Sequence, residues 1–313
     1  MRGGPLPQTI AMRDLLASPL FSMAVPAFRE HARRLHEADV VHLSAPACLS
    51  GVLAMGQLEA ACLDLGIKYS RRFFPAKHHL PRDEQVSHPS PKTGLSIVLD
   101  VEEETWEENE LKEHEWIQIV PIKTRLEMGS KHRLHSGALD GVIQAAALAA
   151  SLAPNGRRVR KLRPYIGTGL WLRGALDTSF DPVHTAVVQH LKDEGTVRMV
   201  SLPEVTNPTT DMIPGLSERQ LKRLSRVWST MDVDQRTQAL SELVLPCMAN
   251  SSLSTPRLEE LIWHRMLVGD QPQDIASQLY GVKQMWPEGS EASNVFASKL
   301  LDTWLSTGEL ILS

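Results

Sequence analysis

The clearest change of hydrophobic rhythm lies in residues 39–66. Val40, Val41 and Leu43 form a short β-branched, apolar run bounded by turn formers, and this predicts a buried strand. Residues 44–48 predict a tight loop, because Pro46 disfavours helical backbone just before it. From Leu49 the apolar positions take helical spacing through Val52, Leu53, Leu58, Ala61, Cys62 and Leu65, and Gly66 stands where a helix ends. Strand character returns at residues 69–74, completing a strand–loop–helix–strand unit. In an open α/β sheet ligands sit at the carboxyl ends of the strands. Chemistry is therefore expected near residues 45–48, yet Ala45, Ala47 and Cys48 bring no acid, base or paired nucleophile.

Upstream, Phe28, Ala32 and Leu35 share one face while Arg29, Arg33, Arg34 and Glu37 lie elsewhere, predicting a helix over 28–38. Residues 75–92, with Pro75, Pro81, Pro89, Pro91, His78, His79 and His88, predict a surface loop. Third and fourth strands are expected at 94–100 and 116–120. Between them the glutamate-rich stretch 102–115 predicts a solvated helix or loop, with a docking face for a basic partner as the functional alternative. Val142, Ile143, Ala146, Ala147 and Ala150 predict a close-packing helix ending near Ala153. Residues 197–202 predict an edge strand, and Pro203, Pro208 and Pro214 mark a connector. Beyond it the pattern is helical: Ser217 caps a segment with Leu221 and Leu224, Asp232 or Asp234 opens one with Leu240 and Val244, and Pro256 starts a third. Two more helices are expected around 275–279 and 292–305. The fold class is α/β: a parallel-sheet domain over 1–180, a proline-rich connector over 181–216 and a smaller helical domain over 217–313.

At 313 residues, with 42% hydrophobic and 22% charged positions, the chain has the make-up of a soluble globular protein with a sizeable core. A formal net charge of −4 gives no bulk attraction to nucleic acid or anionic lipid, so any such contact needs a local patch. Five positive charges fall within residues 157–163 (Arg157, Arg158, Arg160, Lys161 and Arg163), to be weighed as a solvated loop or a phosphate contact. Cys48, Cys62 and Cys247 are odd in number and set among apolar residues, which fits a reducing cytosol and neither a disulfide framework nor a zinc pattern. The apolar stretch over 15–28 is broken by Pro19 and Pro26 and makes a poor signal peptide. No run approaches the roughly 18 apolar residues of a membrane span. Trp228, Trp263, Trp286 and Trp304 are expected mainly in the core, with any exposed one available as an interface anchor.

The segment around residues 40–69, with Ser50-Gly51-Val52-Leu53 and Leu65-Gly66-Ile67-Lys68-Tyr69, resembles the first motif of the DHH phosphoesterase superfamily, RecJ-like branch. In that family a strand runs into two metal-binding aspartates and a glycine; here those positions are Ala45, Ala47 and Cys48. The second motif, a strand ending in aspartate, matches residues 94–100 and makes Asp100 the one acid retained. After the fourth strand, where the family carries Asp-His-His, this chain reads Pro121-Ile122-Lys123. Residues 136–153 resemble the small-residue helix that follows. The family's next strand, ending in its last metal-binding aspartate, would fall near 165–173, where Leu170 to Arg173 supply none. Met212-Ile213-Pro214-Gly215 resembles a turn found after the DHH domain in archaeal members, and the family's C-terminal nucleic-acid clamp has no visible counterpart.

A two-metal phosphoesterase needs several converging carboxylates and histidines, so the resemblance implies a fold retained without catalysis, with no metal and no cofactor. It implies a scaffold of the cell-division-cycle-45 type in DNA replication, located in the cytoplasm at the nucleoid, docking to GINS and MCM helicase components through its helical segment. Contact with single-stranded DNA would use Arg157, Arg158, Arg160, Lys161 and Arg163. The alternative is a divergent RecJ-like nuclease or phosphoesterase whose metal ligands are drawn from Asp100, Asp140, His132 and His135, the two histidines sharing a helical face. His78-His79 is a comparable pair in the proline-rich loop, Gly167-Thr168-Gly169 is too short for a phosphate loop, and Cys48 is expected to serve packing. A binding module outside replication that reuses the fold is the third possibility.

Overall fold

The structure, a computed structural model, describes residues 15–81, 93–102, 116–129, 131–177, 180–249 and 252–311. The chain enters through two single 3-10 turns, Leu15–Ala17 and Pro19–Phe21, which bury Leu15, Leu16, Leu20 and Phe21. Helix α1 (Val25–Glu37) begins with Pro26 in its first turn, where the missing N–H costs nothing. Strand β1 (Val40–Pro46) then leads into α2 (Leu49–Leu65), and β2 (Lys68–Phe74) follows. Strands β3 (Leu95–Leu99) and β4 (Ile117–Ile119) complete a four-stranded sheet of order β2-β1-β3-β4, parallel throughout.

Helix α2 organises this layer. Its residues are buried from Leu49 to Cys62 with almost no polar face, save for the interrupting Ser50, as expected of a helix enclosed on all sides. Cys48 caps its start, and Gly66, at φ 69°, ends it. Gly51 permits the sharp strand-to-helix turn, since a Cβ there would lie 2.1 Å from the Pro46 carbonyl oxygen. The polar groups inside are paired: Gln57 donates to the Leu162 carbonyl at 3.1 Å, and Glu59 accepts from the Tyr69 hydroxyl at 2.6 Å and from Arg71 at 3.3 Å.

Beyond β4 the structure departs from the expected pattern. Strands β5 (Ile122–Met128) and β6 (Arg133–Leu139) pair antiparallel as a hairpin. Ser136, Gly137 and Ala138 therefore belong to a strand, and the alanine-rich helix α3 (Gly141–Leu152) starts only after the Asp140 cap. The basic cluster is helical, α4 (Arg157–Leu162) running into a 3-10 turn at Arg163–Tyr165. Where the resemblance implies a strand, the chain makes the short helix α5 (Thr168–Leu172). Gly169 lets α5 approach α3, because a Cβ there would meet the Asp140 carboxylate at 2.5 Å.

Helix α6 (Pro182–Glu194) precedes β7 (Arg198–Val200). This strand is no edge of the main sheet. It pairs antiparallel with β8 (Arg265–Leu267), which lies beyond α7 (Glu218–Val227), α8 (Val233–Met248) and α9 (Thr255–Trp263). Helices α10 (Ile275–Met285) and α11 (Ser290–Thr307) close the chain.

Hydrophobic packing divides the molecule differently from a boundary near residue 217. Leu202, Ile213, Leu221, Leu224, Trp228, Leu240, Leu243, Leu261 and Ile262 make a smaller core around α7–α9. Ile275, Leu279, Leu300, Leu301 and Trp304 instead join the main core with α2 and the sheet, so α10 and α11 return to the α/β body. Arg71 reinforces this return by pairing with Asp302 at 2.6 Å. Among the described residues no helix is long and apolar enough to cross a membrane.

Candidate functional site: a basic cleft at the carboxyl edge of the sheet

The sheet order makes β1 and β3 neighbours whose connections leave in opposite directions, the arrangement that opens a crevice at the carboxyl edge of an α/β sheet. A cleft of about 760 Å³ lies there, lined by Cys48, Leu49 and Ser50 from the start of α2, Lys77 and His78 from the turn after β2, and Val101 and Glu102 after β3. Leu172 and Arg173 at the end of α5, with Lys283 and Trp286 around the end of α10, form the far wall. Four of these side chains are basic: Lys77, His78, Arg173 and Lys283.

Each wall is held by local structure. Residues 77–79 make a 3-10 turn whose Lys77 backbone N–H donates to Glu102 Oε2 at 2.9 Å, while Lys77 Nζ donates to the Glu102 carbonyl at 3.1 Å. Burial pushes the Glu102 carboxyl upward, against the pull of these Lys77 contacts. Trp286 stacks edge-on with Phe296 at 5.0 Å, and its buried Nε1 has no partner among the described residues. The start of α2 contributes the positive end of a 17-residue helix dipole. Cys48 Sγ accepts from the Gly51 N–H at 3.4 Å, but burial, with Glu102 nearby, pushes its thiol to about 12, leaving it a packed cap and not a thiolate.

The positions implied by the family resemblance gather at this edge. Ala45 lies near the end of β1 and Ala47 just after it, both fully buried; Asp100 follows β3, its N–H bonded to the Ile119 carbonyl at 2.9 Å; Pro121 follows β4 and is buried. Lys123 leaves the edge on β5, opposite Ala138.

The substitute ligand set does not assemble. His132 sits in the hairpin turn at φ 46° with Nδ1 3.7 Å from Glu127, and His135 is on β6 opposite Leu126, so no helical face joins them. Asp140 is the N-cap of α3: its Oδ1 accepts from Val142 and Ile143 at 2.7 and 2.9 Å. Burial raises its carboxyl to about 6, opposed by those two backbone bonds and by the charge of Arg173. His78 and His79 stack on each other at 3.9 Å. Among the described residues no three His, Cys, Asp or Glu side chains are placed to share a metal ion.

The basic cluster at 157–163 is not a single surface. Arg163 is 1% exposed and pairs with Glu194 at 2.9 Å, with His190 on the same carboxylate at 3.0 Å. Arg158 pairs with Asp64, Arg160 donates to the Asn155 carbonyl, and Lys161 reaches the Ser306 carbonyl. Arg163 is thus buried in an ion pair, while Arg158 ties α4 to α2, Lys161 ties it to α11, and Arg160 bonds the turn just before α4. Arg157 is exposed.

Sequence inspection missed the cleft's cations because Lys77, Arg173 and Lys283 come from distant segments with no shared motif. The rule that ligands meet loops after parallel strands would have drawn attention to Lys77 and His78. The acidic stretch lies outside the described residues except for Glu102, as does His88. No family model matches the chain, and no curated protein matches it.

Proposed function

We propose that this chain is a catalytically silent RecJ-like scaffold in DNA replication, acting beside GINS and MCM helicase components at the nucleoid. In this account the cleft at the carboxyl edge of the sheet seats a phosphate of single-stranded DNA without cutting it. One observation carries this proposal. The edge where the resemblance places carboxylates holds Ala45 and Ala47, and the cleft beside it is lined by the cations Lys77, Arg173 and Lys283, together with His78 and the Lys77-bonded Glu102. Cations and a helix N-terminus complement phosphate oxygens. They cannot hold two divalent ions 3.5–4 Å apart or generate hydroxide, which is what hydrolysis by this family requires.

The parallel order and the gathering of Ala45, Ala47, Asp100 and Pro121 at one edge support the resemblance. The β5–β6 hairpin and the α5 helix depart from the family pattern. Incubating the purified chain with labelled single-stranded DNA and manganese or magnesium tests the silent-site reading. Intact DNA is expected. Cleavage that disappears in Asp100→Ala would overturn it in favour of a divergent nuclease. Recovery of GINS or MCM components with the chain from native extract tests the replication assignment, and their absence would count against it.

A further inference from the structure

We propose that helix α7 and the groove beside it form a docking surface for an acidic peptide segment of a protein partner, one that carries an apolar anchor side chain. Helix α7 turns Leu221 and Leu224 into the smaller core, and Trp228 follows them. Arg219, Lys222, Arg223 and Arg226, spaced i, i+3, i+4 and i+7, therefore share the opposite face, and all four are exposed. Lys222 pairs with Glu218 at 3.6 Å, whereas Arg219, Arg223 and Arg226 have no ion pair among the described residues. In a chain of formal net charge −4, this stripe is a local positive field that a negatively charged partner would meet.

The stripe borders an apolar groove. A cavity of about 390 Å³ between α7 and α8 is lined by Leu224, Val227, Ala239 and Leu243, with Arg223 on the α7 rim and Glu242 on the α8 rim. Val227 is 44% exposed, so apolar surface is open to an occupant. The two rims differ in sign, which directs an occupant's carboxylates to α7 while its apolar side chain enters the groove. Single-stranded nucleic acid fits less well, because it needs aromatic platforms for its bases. Trp228, next in the chain to the groove's Val227, is buried, with the Arg236 guanidinium 5.3 Å from its ring centre. This inference concerns a protein-binding surface and does not depend on the replication assignment.

Fluorescence anisotropy on the full chain tests it with three labelled molecules: an amphipathic peptide of about 20 residues bearing leucines flanked by glutamates, a scrambled peptide of equal composition, and an oligo-dT of similar length. The amphipathic peptide should bind saturably and more tightly than either of the others. Its affinity should fall about tenfold or more in Arg219→Glu/Arg223→Glu/Arg226→Glu, and severalfold in Val227→Asp. The milder Arg219→Gln/Arg226→Gln pair, checked for an unchanged melting curve, should show a smaller loss in the same direction. No saturable binding, equal binding of the scrambled peptide, insensitivity to these substitutions, or tighter binding of oligo-dT through the same arginines would each overturn the proposal.

Discussion

Arg163 illustrates how burial reassigns a charge. Removed from water, its guanidinium is held by Glu194 Oε1 at 2.9 Å, and His190 Nε2 lies 3.0 Å from the same oxygen. Burial alone would raise the Glu194 carboxyl, but hydrogen bonds from His190 and Arg163 and their charges outweigh it and hold the group at about 2. Because the folded value lies below the ordinary 4.5, this interaction stabilises the fold fully above pH 4.5 and is lost as pH falls from there toward 2. Glu194→Gln should flatten the dependence of melting temperature on pH in that window; an unchanged acid limb would contradict it. Arg163→Met removes one of the two charged partners of Glu194, leaving His190 and Thr196, and should cost up to about 3 kcal/mol in urea unfolding. The density of positive charge at 157–163 is plain in the sequence, but which member turns inward is not. That depends on a carboxylate 31 residues further along the chain, brought near by α6.

Among the elements, α2 shows how close approach is secured. A Cβ on Gly56 would lie 2.3 Å from the Trp304 ring and 3.0 Å from Leu301, so α11 can pack on α2 only over a glycine. Gly56→Ala improves helix propensity by up to about 1 kcal/mol, but overpacking a buried helix contact costs about 1–3 kcal/mol. With a contact this short the clash should win, and the variant should melt lower. Gly281→Ala on α10, whose added methyl meets nothing within 4 Å, should hold or raise the melting temperature. Equal behaviour of the two variants would show that α11 does not sit as described. The bounds of α2 could be read from the chain because Pro46, the helical rhythm from Leu49 and the final Gly66 are all local signals. The β5–β6 hairpin also leaves a local trace, with Ile122, Thr124 and Leu126 buried between outward Lys123, Arg125 and Glu127. Reading His132 and His135 at helical spacing obscured it. The pairing of β7 with β8 has no such trace, since three helices separate the two strands in sequence.

For the molecule as a whole, the return of α10 and α11 to the main core matters most. It carries Lys283 and Trp286 to the far wall of a cleft whose near wall is the start of α2, so the site draws on both ends of the chain. The sheet could be anticipated from the strand-like segments, and the lack of acids at Ala45 and Ala47 is plain in the sequence. The cations that line the cleft could not, because their convergence is a product of tertiary packing. The most direct test of the account is the affinity of the chain for labelled oligo-dT at low and moderate salt, compared between wild type and Arg173→Glu/Lys283→Glu, two exposed positions of the cleft. Salt-sensitive binding that falls about tenfold or more in the double variant, with its fold confirmed by circular dichroism, is the expected result. Binding that persists undiminished in the variant, or no binding by wild type at low salt, would contradict the claim that this cleft seats a phosphate.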